Sequence, residues 1–282
     1  MSNRTPRDAW SLLGEQLALG PRFVGSSAHR EMHDWIDRRL RAPERRDHHF
    51  VERFFGVEVS CCNFVGRFPG RAPGRILIGT HFDSRPWADR DPDPTRRRDP
   101  VPGANDGASG VALLVELSEW LRLYTDRPTV DLVFFDAEDW HGIDGKEVCI
   151  GSRRFAASME DPPNEVLVVD MVGARDLKLQ FDLSVRRHGP SAELSLAVHR
   201  AGRAQGLAPF CRRDLTSSLW IVDDHTPFME RGIASCVLID MDYERWHTVA
   251  DTLEACSPKS LAAMLEFLRR WVVSRTTIGL GV

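Results

Sequence analysis

Acidic and imidazole side chains recur in this chain where an apolar run gives way to a loop, and their types suit metal chemistry. Gly103-Ala-Asn-Asp106-Gly-Ala-Ser-Gly110 and Phe134-Phe-Asp-Ala-Glu138-Asp139 supply carboxylates, with His81 upstream and His247 downstream. Asp106, Asp139 and His247 offer carboxylate oxygens and an imidazole nitrogen, a set that suits zinc and leaves a coordination position open when the metal is catalytic. Glu138, beside Asp139, has the place a general base needs. Each residue has a plainer reading alone: Asp106 as the N-cap of a helix, His81 and His247 as surface or hydrogen-bonded core histidines. The coincidence of several such donors at the ends of different strands is what points to a site. Glu138 and Asp139 are adjacent and in regular strand would face opposite sides, so both serve one site only past the strand's end. Read this far, the residues lead to a zinc enzyme of acyl or amide chemistry and stop there.

The elements that must position them follow from the apolar pattern. Helices are expected over residues 8–19 and 29–40, then an antiparallel pair of strands over 49–59 and 60–68 at one sheet edge. A strand at 75–80, a helix at 107–123 and a strand at 130–135 form a β-α-β unit. A short helix at 152–159, a strand at 165–169, a helix at 192–205, a strand at 235–239 and a closing helix at 257–274 complete the order, with Ser257-Pro258 as cap and first turn of the last. This alternation predicts a three-layer α/β/α sandwich, its mixed central sheet mostly parallel in the core with an antiparallel edge. In such a sheet the ligand site lies beyond the carboxyl ends of the strands. His81 and Asp83, Glu138 and Asp139, and Asp170 all sit at such ends, and His247 follows the last strand closely. The one long irregular stretch, residues 85–102, reads as a functional or mobile loop. Its Arg96-Arg-Arg98 run reads as a solvated patch, and Asp89, Asp91 and Asp93 lack the rest of a calcium loop.

The 282 residues, without an internal repeat or linker, are expected to form a single domain over 1–282. With 42% hydrophobic and 28% charged residues the composition is globular, and a net charge of -4 gives no reason to expect nucleic acid or an anionic membrane as partner. A small or peptide substrate is expected, and no apolar closing face argues for a dimer over a monomer. No apolar run reaches the roughly 18 residues of a membrane span. Met1-Ser-Asn-Arg-Thr-Pro lacks the apolar stretch of a secretory signal, so the chain as written is expected in the cytoplasm; an earlier start would allow a periplasmic or secreted protein. The six cysteines show no metal-binding spacing and are expected to be free and mostly buried.

Thr80-His-Phe-Asp-Ser84, Gly103 to Gly110, Phe134 to Asp139, Gly151-Ser-Arg-Arg154, Val169-Asp-Met-Val-Gly173, Asp223-Asp-His-Thr-Pro-Phe228 and Trp246-His-Thr248 together resemble the glutaminyl-peptide cyclotransferases, the glutaminyl cyclases of the bacterial and animal zinc type. More distantly they resemble the zinc aminopeptidases that share that fold. The resemblance runs in the family's order from about Gly20 onward. It implies a zinc-aminopeptidase-like fold, with Asp106, Asp139 and His247 as ligands of one zinc ion and Glu138 as catalytic acid and base. Asp170 and Asp223 match the carboxylates of the cyclases' active-site network, and Trp246 an indole that walls the substrate pocket. Two departures stand out: Glu138-Asp139 where animal cyclases resemble Glu-Glu, so that the ligand arm is one methylene shorter, and Val237 where they place a histidine.

The implied activity is conversion of an N-terminal glutamine to pyroglutamate with release of ammonia. Its rival is aminopeptidase hydrolysis, in which His81 and Asp170 resemble the added ligands of a second zinc and Asp106 bridges the two ions. A metal-binding member without activity is the third reading, since a fold hosts more than one function.

Overall fold

Strand β4 shows how the sheet is built: Ile76 and Ile78 enter one apolar layer and Leu77 the other. A continuous apolar run is what a strand covered on both faces requires. The computed structural model describes residues 8–210 and 219–276. Among these, the strands are β1 (Glu44–Arg45), β2 (His48–Phe54), β3 (Val57–Phe68), β4 (Arg75–His81), β5 (Thr129–Phe135), β6 (Glu165–Asp170) and β7 (Ser235–Ile239). The sheet order is β1-β3-β5-β4-β6-β7, with β2 paired to β3. The pairs β4–β5, β4–β6 and β6–β7 are parallel, whereas β3 joins β1, β2 and β5 antiparallel. The expected mixed sheet with its antiparallel edge is therefore what forms.

The helices are α1 (Ala9–Leu17), α2 (Ser27–Arg39), α3 (Ala108–Leu123), α4 (Ile150–Ser158), α5 (Gly189–Ala204), α6 (Thr226–Glu230) and α7 (Pro258–Ser274). Met32 of α2, Leu114 of α3, Val198 of α5 and Phe267 of α7 bury one sheet face together with Leu132, Phe134, Leu167 and Val169. Ala156 of α4 and Phe228 of α6 cover the other, against Val133, Phe135, Val168 and Val237. Strands β4 to β7 thus split their side chains between the two layers with the period of two that the pleat imposes.

The hairpin boundary departs from expectation, and β1 and α6 were not expected at all. The hairpin turns at Phe55-Gly56, both with positive φ, and pairs Phe54 with Val57, so the expected break near residue 60 lies inside β3. Glycine adopts that backbone freely, and a two-residue turn of this hand matches the twist of the flanking strands. At α3 the N-cap is Gly107 without a side-chain cap bond, so Asp106 is not spent on capping. Ser257 does cap α7, accepting from the Lys259 N–H, with Pro258 in the first turn. Cys61, Cys62, Cys149, Cys236 and Cys256 are free and buried, and Cys211 lies outside the described residues. Among the described residues no helix is long and apolar enough to cross a membrane.

Candidate active site

The carboxyl ends of β4, β5 and β6 open onto a cavity of about 760 Å³. Asp106, Glu138, Asp139, Asp170, Asp223, Trp246 and His247 all line it, so seven of the eight site residues expected from sequence share one space. The eighth, His81, lies buried behind Asp106 and Asp170, with its Nε2 3.0 Å from Asp106 Oδ1 and 3.1 Å from Asp170 Oδ1. Gly107 permits this approach, because a Cβ there would stand 2.6 Å from His81 Nε2. Asp106 turns its other oxygen toward His247, whose Nε2 is 3.9 Å from Asp106 Oδ2 and 3.3 Å from Asp139 Oδ1. Donor atoms of Asp106, Asp139 and His247 all lie within 4.8 Å of one another, and so do those of His81, Asp106 and Asp170.

Buried carboxylates fix the backbone that presents these groups. Asp83 accepts from the N–H of Glu138 at 3.0 Å and of Asp139 at 3.2 Å, which holds the turn after β5. Asp251 does the same for Asn105 and Asp106, at 2.9 and 3.2 Å, and takes a third bond from the Tyr243 hydroxyl at 2.6 Å. Ala137, Met171 and His247 have φ of 58°, 47° and 56°. Residues with a Cβ avoid this region, and such strain gathers at functional sites because the surroundings must over-determine it.

A ring of alternating charge joins two of the candidate ligands. His247 Nδ1 lies 3.3 Å from Asp89 Oδ1. Asp89 receives two bonds from Arg85, at 2.8 and 2.7 Å, and Arg85 Nη1 returns to Asp139 Oδ1 at 3.0 Å. An acid on the far nitrogen fixes which imidazole nitrogen faces the site. Sequence reasoning missed Arg85 and set Asp89 aside as part of a false calcium loop; their spacing of four residues was the only local sign. Arg97 and Arg98, read as a solvated patch, are exposed but line the mouth of the cavity.

The electrostatics separate the acids. Against the penalty of burial, His247 and Arg85 hold the Asp139 carboxyl down at about 2. Burial, reinforced by Asp224, Asp139 and Asp223 and opposed by His81, pushes Glu138 well above the usual carboxylate range. Asp223 is pushed up to about 7 by burial and by the charge of Asp170. Against its own burial, His247 is lifted to about 9 by Asp139, Asp89 and Asp106. Acids displaced in opposite directions within one cavity are what acid–base chemistry uses. The Cys149 thiol donates to Glu138 Oε1 at 3.3 Å, a contact that sequence did not suggest.

These residues fit a metal ion. Among the described residues Asp139 Oδ2 is buried and meets no hydrogen-bond donor, an expensive state for an ionised oxygen unless a cation takes it. With Asp106 and His247 it completes a donor set within zinc's repertoire. Trp246, the expected pocket wall, lies against the His247 ring at 4.2 Å between centroids and carries the Arg90 guanidinium on its face at 4.0 Å.

Comparison with known proteins agrees with this architecture. The family model for peptidase family M28 matches residues 63–272. The glutaminyl-peptide cyclotransferase of Boiga irregularis is 24% identical over 252 residues, covering 77% of this chain and 66% of that protein. The chain spans between 53% and 66% of the length of the first curated relatives it matches. Among solved structures, the Tannerella forsythia glutaminyl cyclase superposes with a TM-score of 0.84 at 27% identity, covering 96% of this chain and 99% of that one. A Zn-dependent exopeptidase from Parabacteroides distasonis gives 0.83 at 26% identity, covering 96% and 100%. The resemblance drawn from the motifs and the zinc-exopeptidase-like fold are thereby borne out, and the chain belongs to peptidase family M28.

Proposed function

We propose that this chain is a zinc-dependent glutaminyl-peptide cyclotransferase that converts N-terminal glutamine to pyroglutamate and releases ammonia. The observation that carries this reading is the single cavity in which Glu138, Asp170, Asp223 and Trp246 face the Asp106, Asp139 and His247 donors. The likeness to glutaminyl cyclases in sequence and in fold supports it. Asp106, Asp139 and His247 would hold zinc, which supplies, when bound, polarisation of the side-chain amide carbonyl.

The chain's own residues do the rest. Trp246 walls the cavity and restricts the glutamine side chain, so that its amide carbon lies near its own α-amine; with both reactants in one residue, orientation alone removes much of the barrier. Asp170 and Asp223 accept hydrogen bonds from the amine and balance its charge. Glu138 takes a proton from the amine nitrogen as the new C–N bond forms, then returns it to the amide nitrogen as the old C–N bond breaks and ammonia departs. A carboxyl raised by its surroundings suits this two-way transfer.

Aminopeptidase hydrolysis is the second reading, favoured by the convergence of His81, Asp106 and Asp170 as a further donor set. Assaying a Gln-peptide and an aminoacyl-anilide side by side separates the two. Ammonia release from the peptide, lost in Glu138→Gln while zinc stays bound, is the expected result. Anilide cleavage without ammonia release would replace the cyclase with a peptidase, and inactivity on both with zinc bound would leave a binding protein.

A further inference from the structure

A second convergence of imidazole and carboxylate lies on the other side of the turn after β5. His29 and His33, one helical turn apart on α2, point the same way. Both meet Asp136, the residue that follows β5: His29 Nε2 is 2.8 Å from Asp136 Oδ1, and His33 Nε2 is 3.2 Å from Asp136 Oδ2. The two Nε2 atoms are 3.3 Å apart. His29 and Asp136 are fully buried, and His33 keeps 23% of its side chain accessible. We infer that His29, His33 and Asp136 form a binding site for a divalent transition ion, distinct from the active-site donors, that clamps α2 to the segment carrying Glu138 and Asp139.

The spacing, the bracing and the surroundings of these donors fit an ion. Two nitrogens each about 2.0–2.1 Å from a tetrahedral zinc stand roughly 3.3 Å apart, the spacing found between them, while His29 Nε2 and Asp136 Oδ1, now 2.8 Å apart, would part slightly to share the ion. Without an ion each Nε2–H donates to its own oxygen of Asp136, and with the proton on Nδ1 instead both Nε2 lone pairs are free for one shared ion. Asp136 is also braced as a ligand would be: its Oδ2 accepts the Cys62 N–H at 2.9 Å, and its own N–H donates to Asn63 Oδ1 at 2.9 Å. Phe64 and Phe82 wall the cluster, at 5.3 and 5.5 Å from the His33 ring, so the medium is apolar and the donors are held stiffly. The charge is manageable, since two neutral imidazoles, Asp136 and the nearby Asp83 balance a doubly charged ion.

The site predicts more metal per chain than the catalytic donors hold. The test quantifies zinc in full-length protein after equilibration with Zn²⁺ and removal of the excess. The D106A/H247A variant breaks both active-site donor sets, and it is expected to retain one equivalent that disappears when His33→Gln is added. Co²⁺ in place of zinc should give D106A/H247A a visible absorption band that His33→Gln removes. In the otherwise unaltered chain His33→Gln should bind one equivalent less and still release ammonia from a Gln-peptide, which keeps this result separate from the fate of the proposed activity. A D106A/H247A protein that folds and binds no ion overturns the inference. So does a His33→Gln protein with undiminished metal content, a measurement that stands even where the double variant does not fold.

Discussion

The two ends of β5 bury carboxylates in opposite ways. At its amino-terminal half Asp131 takes two bonds from Arg67, at 2.7 and 2.8 Å, and one from Arg75 at 3.2 Å, so its charge is fully answered within the protein. Just beyond its carboxyl end Asp139 has one oxygen shared by Arg85 and His247 and the other without a donor among the described residues, while the Glu138 carboxyl takes a bond from the Cys149 thiol. The first arrangement anchors the antiparallel edge to the parallel core. The second holds charge in readiness for something that is not protein, and the difference marks where the fold stops serving itself.

The comparison is sharpest at Glu138. Glu138→Gln should lower turnover on a Gln-peptide by about 10²- to 10⁴-fold with thermal stability unchanged or slightly raised, read by kinetics and a melting curve on the same sample. A retained turnover breaks the contrast from the functional side. Asp131→Ala should do the reverse, costing about 3–5 kcal/mol because two guanidinium groups lose their buried partner, with turnover per folded molecule preserved. Denaturant unfolding checks it, and a loss below 1 kcal/mol would show that the paired end anchors little.

Asp83→Asn tests the boundary between the two kinds of acid. It removes one of two acceptors under the Glu138–Asp139 backbone, so a loss of about 1–3 kcal/mol should appear together with weaker zinc retention. Intact zinc retention would separate the backbone clamp from the ligands. The last effect, confined to acid pH and absent near neutrality, lies away from both ends, at His199 on α5. Burial, with the charge of Arg203, holds its imidazole down at about 4 against an ordinary 6.5. The unfolded chain therefore binds the extra proton first: stability is full above pH 6.5 and is lost progressively as pH falls toward 4, by up to about 3 kcal/mol. His199→Phe should flatten that acid limb, and an unchanged limb would reassign it to the carboxylates.

What was legible in the sequence follows the range of the interactions. The core strands read directly, because Arg75 to Thr80 and Glu165 to Val169 are apolar on both faces and only a doubly covered strand needs that. The candidate site residues were legible because donors of suitable type recur near strand ends and a helix start, and one cavity receives all of them but His81. The brace of Arg85 and Asp89 was not, since its meaning lies in contacts with Asp139 and His247 far along the chain. Helix α6 was missed because five residues carry too little periodicity to register. The hairpin turn was misplaced because the β-branched and aromatic run continues on both sides of Phe55-Gly56. His29 and His33 show helical spacing, but nothing local announces Asp136 as their common partner, 107 and 103 residues away.

The closed circuit of His247, Asp89, Arg85 and Asp139 has a thermodynamic corollary. Because the candidate ligands from remote segments are already locked to each other by protein groups, folding is expected not to wait for an ion. If the proposed zinc is bound, a chelator should strip it and leave a native circular dichroism spectrum, with full recovery on reloading. Affinity then reflects the contest between the ion and the Arg85 guanidinium for one carboxylate.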